Sequence, residues 1–353
     1  MKNVVTRHPF ASVLVALVVG ALVVGAVWAV LATRDEPGAP IGEPAGPSST
    51  PETPAEPTAG CDTTTVNVSN ASDLQSALDA AKPGDVIGLA AGTYLGNFVA
   101  EASGTKEQPI QLCGTTDAVL DGGDTDKGYV LHLDGAQYWH LTGFTVTNGQ
   151  KGVMADGTVG SVIEGLTVTG TGHEAIHLRN FSTDNSVIGN TISDTGIERD
   201  KFGEGVYLGT AESNWCDVSD CEPDASDRNL VEGNDISGTT AESVDIKEGT
   251  SDGIIRNNTF DGSKLTEDGD SWVDVKGRGY LIEGNVGTNS IQDGFQTHEI
   301  IDGFGTNNTF RNNTAAVNGP GFGYSLTPER DNVVECNNTA SGAEEGVMNV
   351  TCT

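Results

Sequence analysis

Residues 229–258 read NLVEGNDISGTTAESVDIKEGTSDGIIRNN and begin and end on one short phrase. Val231-Glu-Gly-Asn234 opens it and Ile255-Arg-Asn-Asn258 closes it: an apolar residue, a variable one, Gly or Asn, then Asn. The phrase returns as Leu141-Thr-Gly-Phe144, Ile163-Glu-Gly-Leu166, Ile188-Gly-Asn190, Ile282-Glu-Gly-Asn285, Phe310-Arg-Asn-Asn313 and Val334-Glu-Cys-Asn337. Taken at its last residue, it recurs after 22, 24, 44, 24, 27, 28 and 24 residues. A period in the twenties, with short β-branched strands and Gly/Asn turns, predicts a solenoid. The leucine consensus of leucine-rich repeats is missing, so the coils are expected to form an all-β parallel β-helix. Stacked coils lie ~4.8 Å apart, close enough for equivalent Asn side chains to hydrogen-bond in a ladder. The Asn-Asn-Thr triplets at 257, 307, 312 and 337 also match the glycosylation pattern, but their regular recurrence favours the ladder. The long step contains Asn214 to Arg228, with Cys216 and Cys221, and reads as a loop inserted outside the repeat.

Composition fits this thin, repeated core. The 353 residues include 47 Gly and are 36% hydrophobic, enough to exclude a wholly disordered chain. Eighteen Lys+Arg face 50 Asp+Glu, a formal charge of −32 that excludes a nucleic-acid partner, since phosphate backbones need a basic footprint.

The first 60 residues stand apart. Residues 9–32 are apolar and uncharged, long enough to span a bilayer, and Lys2 and Arg7 precede them. The positive-inside rule predicts a cytoplasmic tail at 1–8, a single-pass membrane anchor at 9–32, and the remainder outside the cell. A cleaved signal peptide ending near Val30-Leu31-Ala32, giving a secreted protein, is the alternative. Residues 33–60, rich in Pro, read as a solvated linker before the β-helix domain at 61–353. The six cysteines suit an oxidising compartment; chain order and proximity suggest Cys61–Cys113, Cys216–Cys221 and Cys336–Cys352. A monomer is expected.

Ser72-Asp-Leu-Gln75 predicts a capping box opening a helix whose Leu74, Ala77, Leu78 and Ala81 share one face and close the N-terminal end of the stack. Val86-Ile-Gly-Leu89, Pro109-Ile-Gln-Leu112 and Ala118-Val-Leu120 follow as the first strands. Here the chain resembles a known group. Residues 73–98, DLQSALDAAKPGDVIGLAAGTYLGNF, then SGTKEQPIQLCG, look like the opening of pectin-lyase-like right-handed β-helix proteins. The likeness is closest to chondroitinase-B-type and alginate-lyase-type polysaccharide lyases.

Aligning one strand of each coil gives Glu174-Ala-Ile-His-Leu-Arg179, Glu204-Gly-Val-Tyr-Leu-Gly209, Glu242-Ser-Val-Asp-Ile-Lys247, Ser271-Trp-Val-Asp-Val-Lys276 and Asp293-Gly-Phe-Gln-Thr-His298. Third and fifth places point inward; the fourth and sixth are expected to meet solvent. One face therefore gathers Glu204, Glu242, Asp245 and Asp274 beside Arg179, Lys247, Lys276 and His298. Such a face suits β-elimination on an acidic, uronate-containing polysaccharide, where the substrate carboxylate must be neutralised and a base with depressed proton affinity must reach the adjacent proton. The resemblance implies Ca²⁺, held here by Glu204, Glu242, Asp245 and Asp274, with Lys247 as base and Lys276 as its basic partner one coil on. The sequence departs from that family in lacking a tight Glu-x-Glu pair. Trp272 is either a platform for a sugar ring or a packed rim aromatic. The aspartate and lysine columns can alternatively be solvated ladders pairing diagonally between strands. Three activities are compatible with this face: a lyase, a hydrolase or epimerase, and a non-catalytic glycan-binding β-helix.

Overall fold

A computed structural model describes residues 61–353, except Asp62 and Asp268. The predicted tail, anchor and linker lie outside the described residues. Each coil contributes three short strands, exemplified by Leu230–Glu232, Asp235–Ser237 and Val244–Ile246. Stacking them in parallel gives sheets of 11, 10 and 10 strands, each strand paired with its equivalents in the coils before and after. The result is the expected right-handed parallel β-helix.

The repeated phrase has a backbone cause. The residue before each ladder Asn is left-handed: Gly189 at φ 61°, Gly233 at 66°, Asn257 at 57°, Gly284 at 66° and Asn312 at 56°. Gly and Asn tolerate that conformation, so the chain alternates between them there and bends out of one sheet into the next. The Asn that follows is buried, and its Oδ1 accepts the backbone N–H of its predecessor: Asn190 to Asn234, Asn234 to Asn258, Asn258 to Asn285 and Asn285 to Asn313, at 2.9, 2.9, 3.0 and 2.9 Å. Each Nδ2 returns a bond to a carbonyl of the preceding coil, as Asn258 does to Val231 at 3.0 Å. The triplets at 257, 307 and 312 thus divide their labour: the first Asn makes the exposed left-handed bend and the second makes the rung. The last rung is Asn338 rather than Asn337, because one residue is added in that turn.

Inside, the apolar residue of the phrase forms a buried column through Leu141, Ile163, Val231, Ile255, Ile282, Phe310 and Val334, joined in the coil of Asn190 by Val187 rather than by Ile188, whose side chain alternates outward. Burying each such side chain contributes roughly 1.5–3 kcal/mol. Trp272 belongs to this core. It is fully buried, edge-on to Phe295 at 5.6 Å, so it offers no platform to a sugar. Gly287 makes room for it: a Cβ there would stand 2.2 Å from the indole.

The helix Ala71–Ala80 packs on the leading strands of the stack, with Leu74 and Leu78 in the core. Its cap is Asn70, not Ser72: Asn70 Oδ1 accepts from Asp73 N, and Nδ2 donates back to the Asp73 carboxylate. Asn binds its own helix terminus as well as Ser does and sits two residues earlier, where the apolar face begins. All three suggested disulfides form: Cys61–Cys113, Cys216–Cys221 and Cys336–Cys352. The insertion is shorter than its sequence suggests. Asp224 accepts from Asn180 N and Phe181 N, and Ser226 from Ser182 N, so residues from 224 onward are rungs of the stack.

A carboxylate and lysine groove as the candidate active site

The third sheet presents the outward column foreseen from the alignment. Register places Met154, His177, Tyr207, Asp245, Asp274 and Gln296 side by side in successive coils. They do not face open solvent: Asp245 is 1% exposed, Asp274 3% and His177 4%. Two segments outside the repeat flank them, the single turn Asp200–Phe202 before the strand Val206–Leu208 and the short helices Glu212–Asn214 and Trp215–Val218 after it. The sheet is thus the floor of a groove, not a bare face.

Along the floor lies a carboxylate-rich arm of about 410 Å³, lined by Glu204, Glu242, Asp245, Asp270, Asp274 and the cations Lys201, Lys247, Lys276 and His298. Lys247 Nζ lies 2.5 Å from Asp245 Oδ2. Lys276 Nζ bridges diagonally, 2.8 Å from Asp245 Oδ1 and 2.5 Å from Asp274 Oδ2. His298 Nδ1 holds the other side of Asp274 at 3.0 Å. The diagonal pairing expected of charged ladders is therefore present, but buried, which makes each group depend on its partner.

Charge and burial divide these residues. Lys276 and His298 depress the proton affinity of Asp274 despite its burial. Glu242 has no such neighbour to itself: burial, then the Asp245 charge, pushes it up to about 8. Burial and the charges of Glu174, Asp245 and Glu242 raise Glu204 well above the ordinary carboxylate range. Lys247 and Lys276 are raised, because the surrounding carboxylates outweigh burial. The expectation of a Lys247 with depressed proton affinity is thus corrected: in this groove Lys247 is a firmly held ammonium.

The acidic residues fit a hard cation. Glu204, Glu242 and Asp245 bring ligand oxygens within 4.8 Å of one another, as do Glu242, Asp270 and Asp274. Buried Glu204 Oε2 has no hydrogen-bond partner among the described residues. Oxygen-only donors of this kind match calcium rather than a softer metal. Asp270, in the segment before the strand Val273–Val275, joins this set from outside the aligned strand positions.

Tyr207 received no role from its sequence, yet it occupies the centre of the floor. Its ring lies 4.3 Å from the His177 ring and 4.9 Å from Lys247 Nζ. Burial, with Asp245 next, keeps its phenol neutral well above the ordinary tyrosine range. His177 Nε2 is 2.9 Å from the Gly209 carbonyl, an acceptor, so this nitrogen carries the proton and Nδ1 faces Lys151 Nζ at 3.4 Å. Arg179, expected at the edge of the groove, is in the coil before Tyr207, with Nε 2.6 Å from Asp156. Lys151, absent from the aligned strands, pairs there with Glu174 at 2.9 Å.

The architecture defines a right-handed parallel β-helix with a charged groove along its third sheet. The family described as right handed beta helix region matches residues 129–263. The crystal structure of an alginate lyase from Paenibacillus sp. str. FPU-7 shares 36% identity, covers 80% of this chain and 96% of its own, and superposes with a TM-score of 0.75. The chain therefore belongs to the right-handed parallel β-helix proteins of the alginate-lyase type. Pectate lyase Pel9A (14% identity, 76% of this chain and 72% of its own, TM-score 0.51) and a rhamnogalacturonan lyase (13%, 68% and 68%, TM-score 0.52) share the fold. Among curated proteins, none matches the chain.

Proposed function

We propose that the protein is an extracellular lyase that cleaves a uronate-containing polysaccharide of the alginate type by β-elimination, held to the cell membrane by residues 9–32. The observation that carries this reading is the meeting of Tyr207 and Lys247 on adjacent coils at the floor of a walled groove. It is supported by the 36% identity to an alginate lyase.

In β-elimination the proton on the carboxylate-bearing carbon leaves, its electron pair forms the double bond, and the bond to the bridging oxygen breaks. That oxygen takes up a proton, and no water is consumed. Tyr207, a neutral phenol in mid-groove, is suited to deliver the proton to the leaving oxygen. Lys247 is the nitrogen beside it that would accept the first proton, after losing its own to solvent. The carboxylates around it hold that proton firmly, so the step requires their charge to be offset. Lys276, pinned between Asp245 and Asp274, and His298, on Asp274, position the cluster. A calcium ion held by Glu204, Glu242 and Asp245 would neutralise the substrate carboxylate as charge develops and lower the proton affinity of Lys247.

The strong protonation of Lys247 favours a second reading, in which the groove binds an acidic glycan without cleaving it. Incubation with alginate, pectate and glycosaminoglycans, with calcium or with a chelator, separates the two. Ultraviolet absorbance of an unsaturated uronate supports the lyase; retention on immobilised glycan with no absorbance supports binding alone.

A further inference from the structure

Beyond Tyr207, on the N-terminal side, the groove opens into a second cavity of about 340 Å³. Its floor is Lys151, His177 and Arg179, and one wall is His173 packed against Phe202 at 5.0 Å. The opposite wall is Asn214, Asp217 and Val218, from the insertion that breaks the repeat. The insertion is braced from both ends: Trp215 Nε1 donates to the Thr210 carbonyl at 2.8 Å, and the Cys216–Cys221 disulfide closes the turn. Asp224 then fastens it to the previous coil through two backbone N–H groups. This is a rigid wall, built at a place where the stack itself needs none.

The chemistry of the cavity is that of a sugar acid. Lys151, paired with Glu174, and Arg179, paired with Asp156, keep 13% and 20% of their side chains exposed, so each retains donors for a further anion in a chain with only 18 Lys+Arg. Glu174, which lines the cavity and is 5% exposed, has a buried Oε2 with no hydrogen-bond partner among the described residues. An unpaired buried acceptor costs about 1–3 kcal/mol, which a turn of this carboxyl toward a pyranose hydroxyl in the cavity would recover. The other arm carries the carboxylate surplus, so a polyanion threading the groove finds its better charge match on this side.

We infer that this cavity is a binding subsite for a uronate residue of the polymer, adjacent to the position over Tyr207 and Lys247, and that the inserted loop sets its size. The inference rests on the lyase reading for its substrate class. Val218→Trp fills the cavity from the wall while leaving every ion pair in place. Two measurements are needed: kcat and KM on a uronate oligosaccharide, and calorimetric binding of the same oligosaccharide and its carboxyl-reduced counterpart to Lys247→Ala with and without Val218→Trp. The subsite predicts a KM raised about tenfold or more with kcat nearly kept, and binding weakened by a similar factor. It also predicts weak binding of the carboxyl-reduced sugar to both proteins. Should Val218→Trp fail to fold by circular dichroism, Asn214→Trp fills the same cavity and carries the same expectation. Wild-type cleavage with KM and binding unmoved by the filling residue overturns the subsite alone. No cleavage and no uronate binding by the wild type overturns the subsite and the lyase reading together.

Discussion

Glu242→Gln is the substitution that reports most clearly on how the groove stores charge. The folded protein holds the Glu242 proton up to about pH 8, against 4.5 for an unperturbed Glu, because burial and Asp245 disfavour the anion. Below about pH 4.5 both folded and unfolded chains carry this proton, so the group is neutral to stability there. Between 4.5 and 8 the unfolded chain releases it and the folded one does not, so stability falls as pH rises through that window. At ~1.4 kcal/mol per pKa unit, the full penalty is on the order of 5 kcal/mol, an upper figure because the neighbouring groups share the proton. Gln keeps the shape and removes the titration. In urea denaturation followed by tryptophan fluorescence with a chelator present, wild type and Glu242→Gln should converge near pH 5. By about pH 9 the variant should be several kcal/mol more stable. Calcium should restore the wild type at high pH and do little for the variant. Parallel pH profiles for the two proteins would refute the buried, proton-holding Glu242.

Three further outcomes follow from the same structure. Tyr207→Phe should retain the fold and glycan binding but lose kcat by about 10²-fold or more in a steady-state assay, since only the proton donor is removed. Asn258→Ala removes a rung whose Oδ1 serves Asn234 N and whose Nδ2 serves the Val231 carbonyl; urea denaturation should show a loss of about 2–5 kcal/mol from two buried groups left unpaired. Fractionation of cells expressing the full chain should leave it in the membrane pellet after a salt wash, with protease added outside able to degrade residues 61–353; a soluble product beginning near Thr33 would establish the cleaved alternative.

The fold was legible because its repeat has a local cause. A left-handed bend followed by a buried ladder Asn must be written as Gly-Asn or Asn-Asn, and Val231-Glu-Gly-Asn234 states both requirements openly. The inward positions of the site strand were equally clear, since alternation fixes them. What alternation could not show was depth. Asp245 and Asp274 point away from the core yet are buried, because Lys247, Lys276 and His298 of the same sheet pair over them. Burial alone would have depressed Lys247 as expected; the Asp245 carboxylate of its own strand, with Glu204 and Glu242 behind it, outweighs burial and raises its proton affinity instead. Lys151 was missed because its strand, Lys151–Asp156, opens on the cation instead of an acid, and Tyr207 because a lone aromatic in an outward column carries no charge signal. Of the two readings of Trp272, packing is the one realised: its ring fills the space left by Gly287.

The account's central claim is elimination rather than hydrolysis at Tyr207 and Lys247. Mass spectrometry of the products of alginate digestion in oxygen-18 water tests it most directly. Elimination predicts oligosaccharides with an unsaturated terminal residue and no label incorporated at the cleaved bond, formed by the wild type and abolished by Lys247→Ala. Saturated products carrying one heavy oxygen per cleavage, or undiminished unsaturated product from Lys247→Ala, would contradict it.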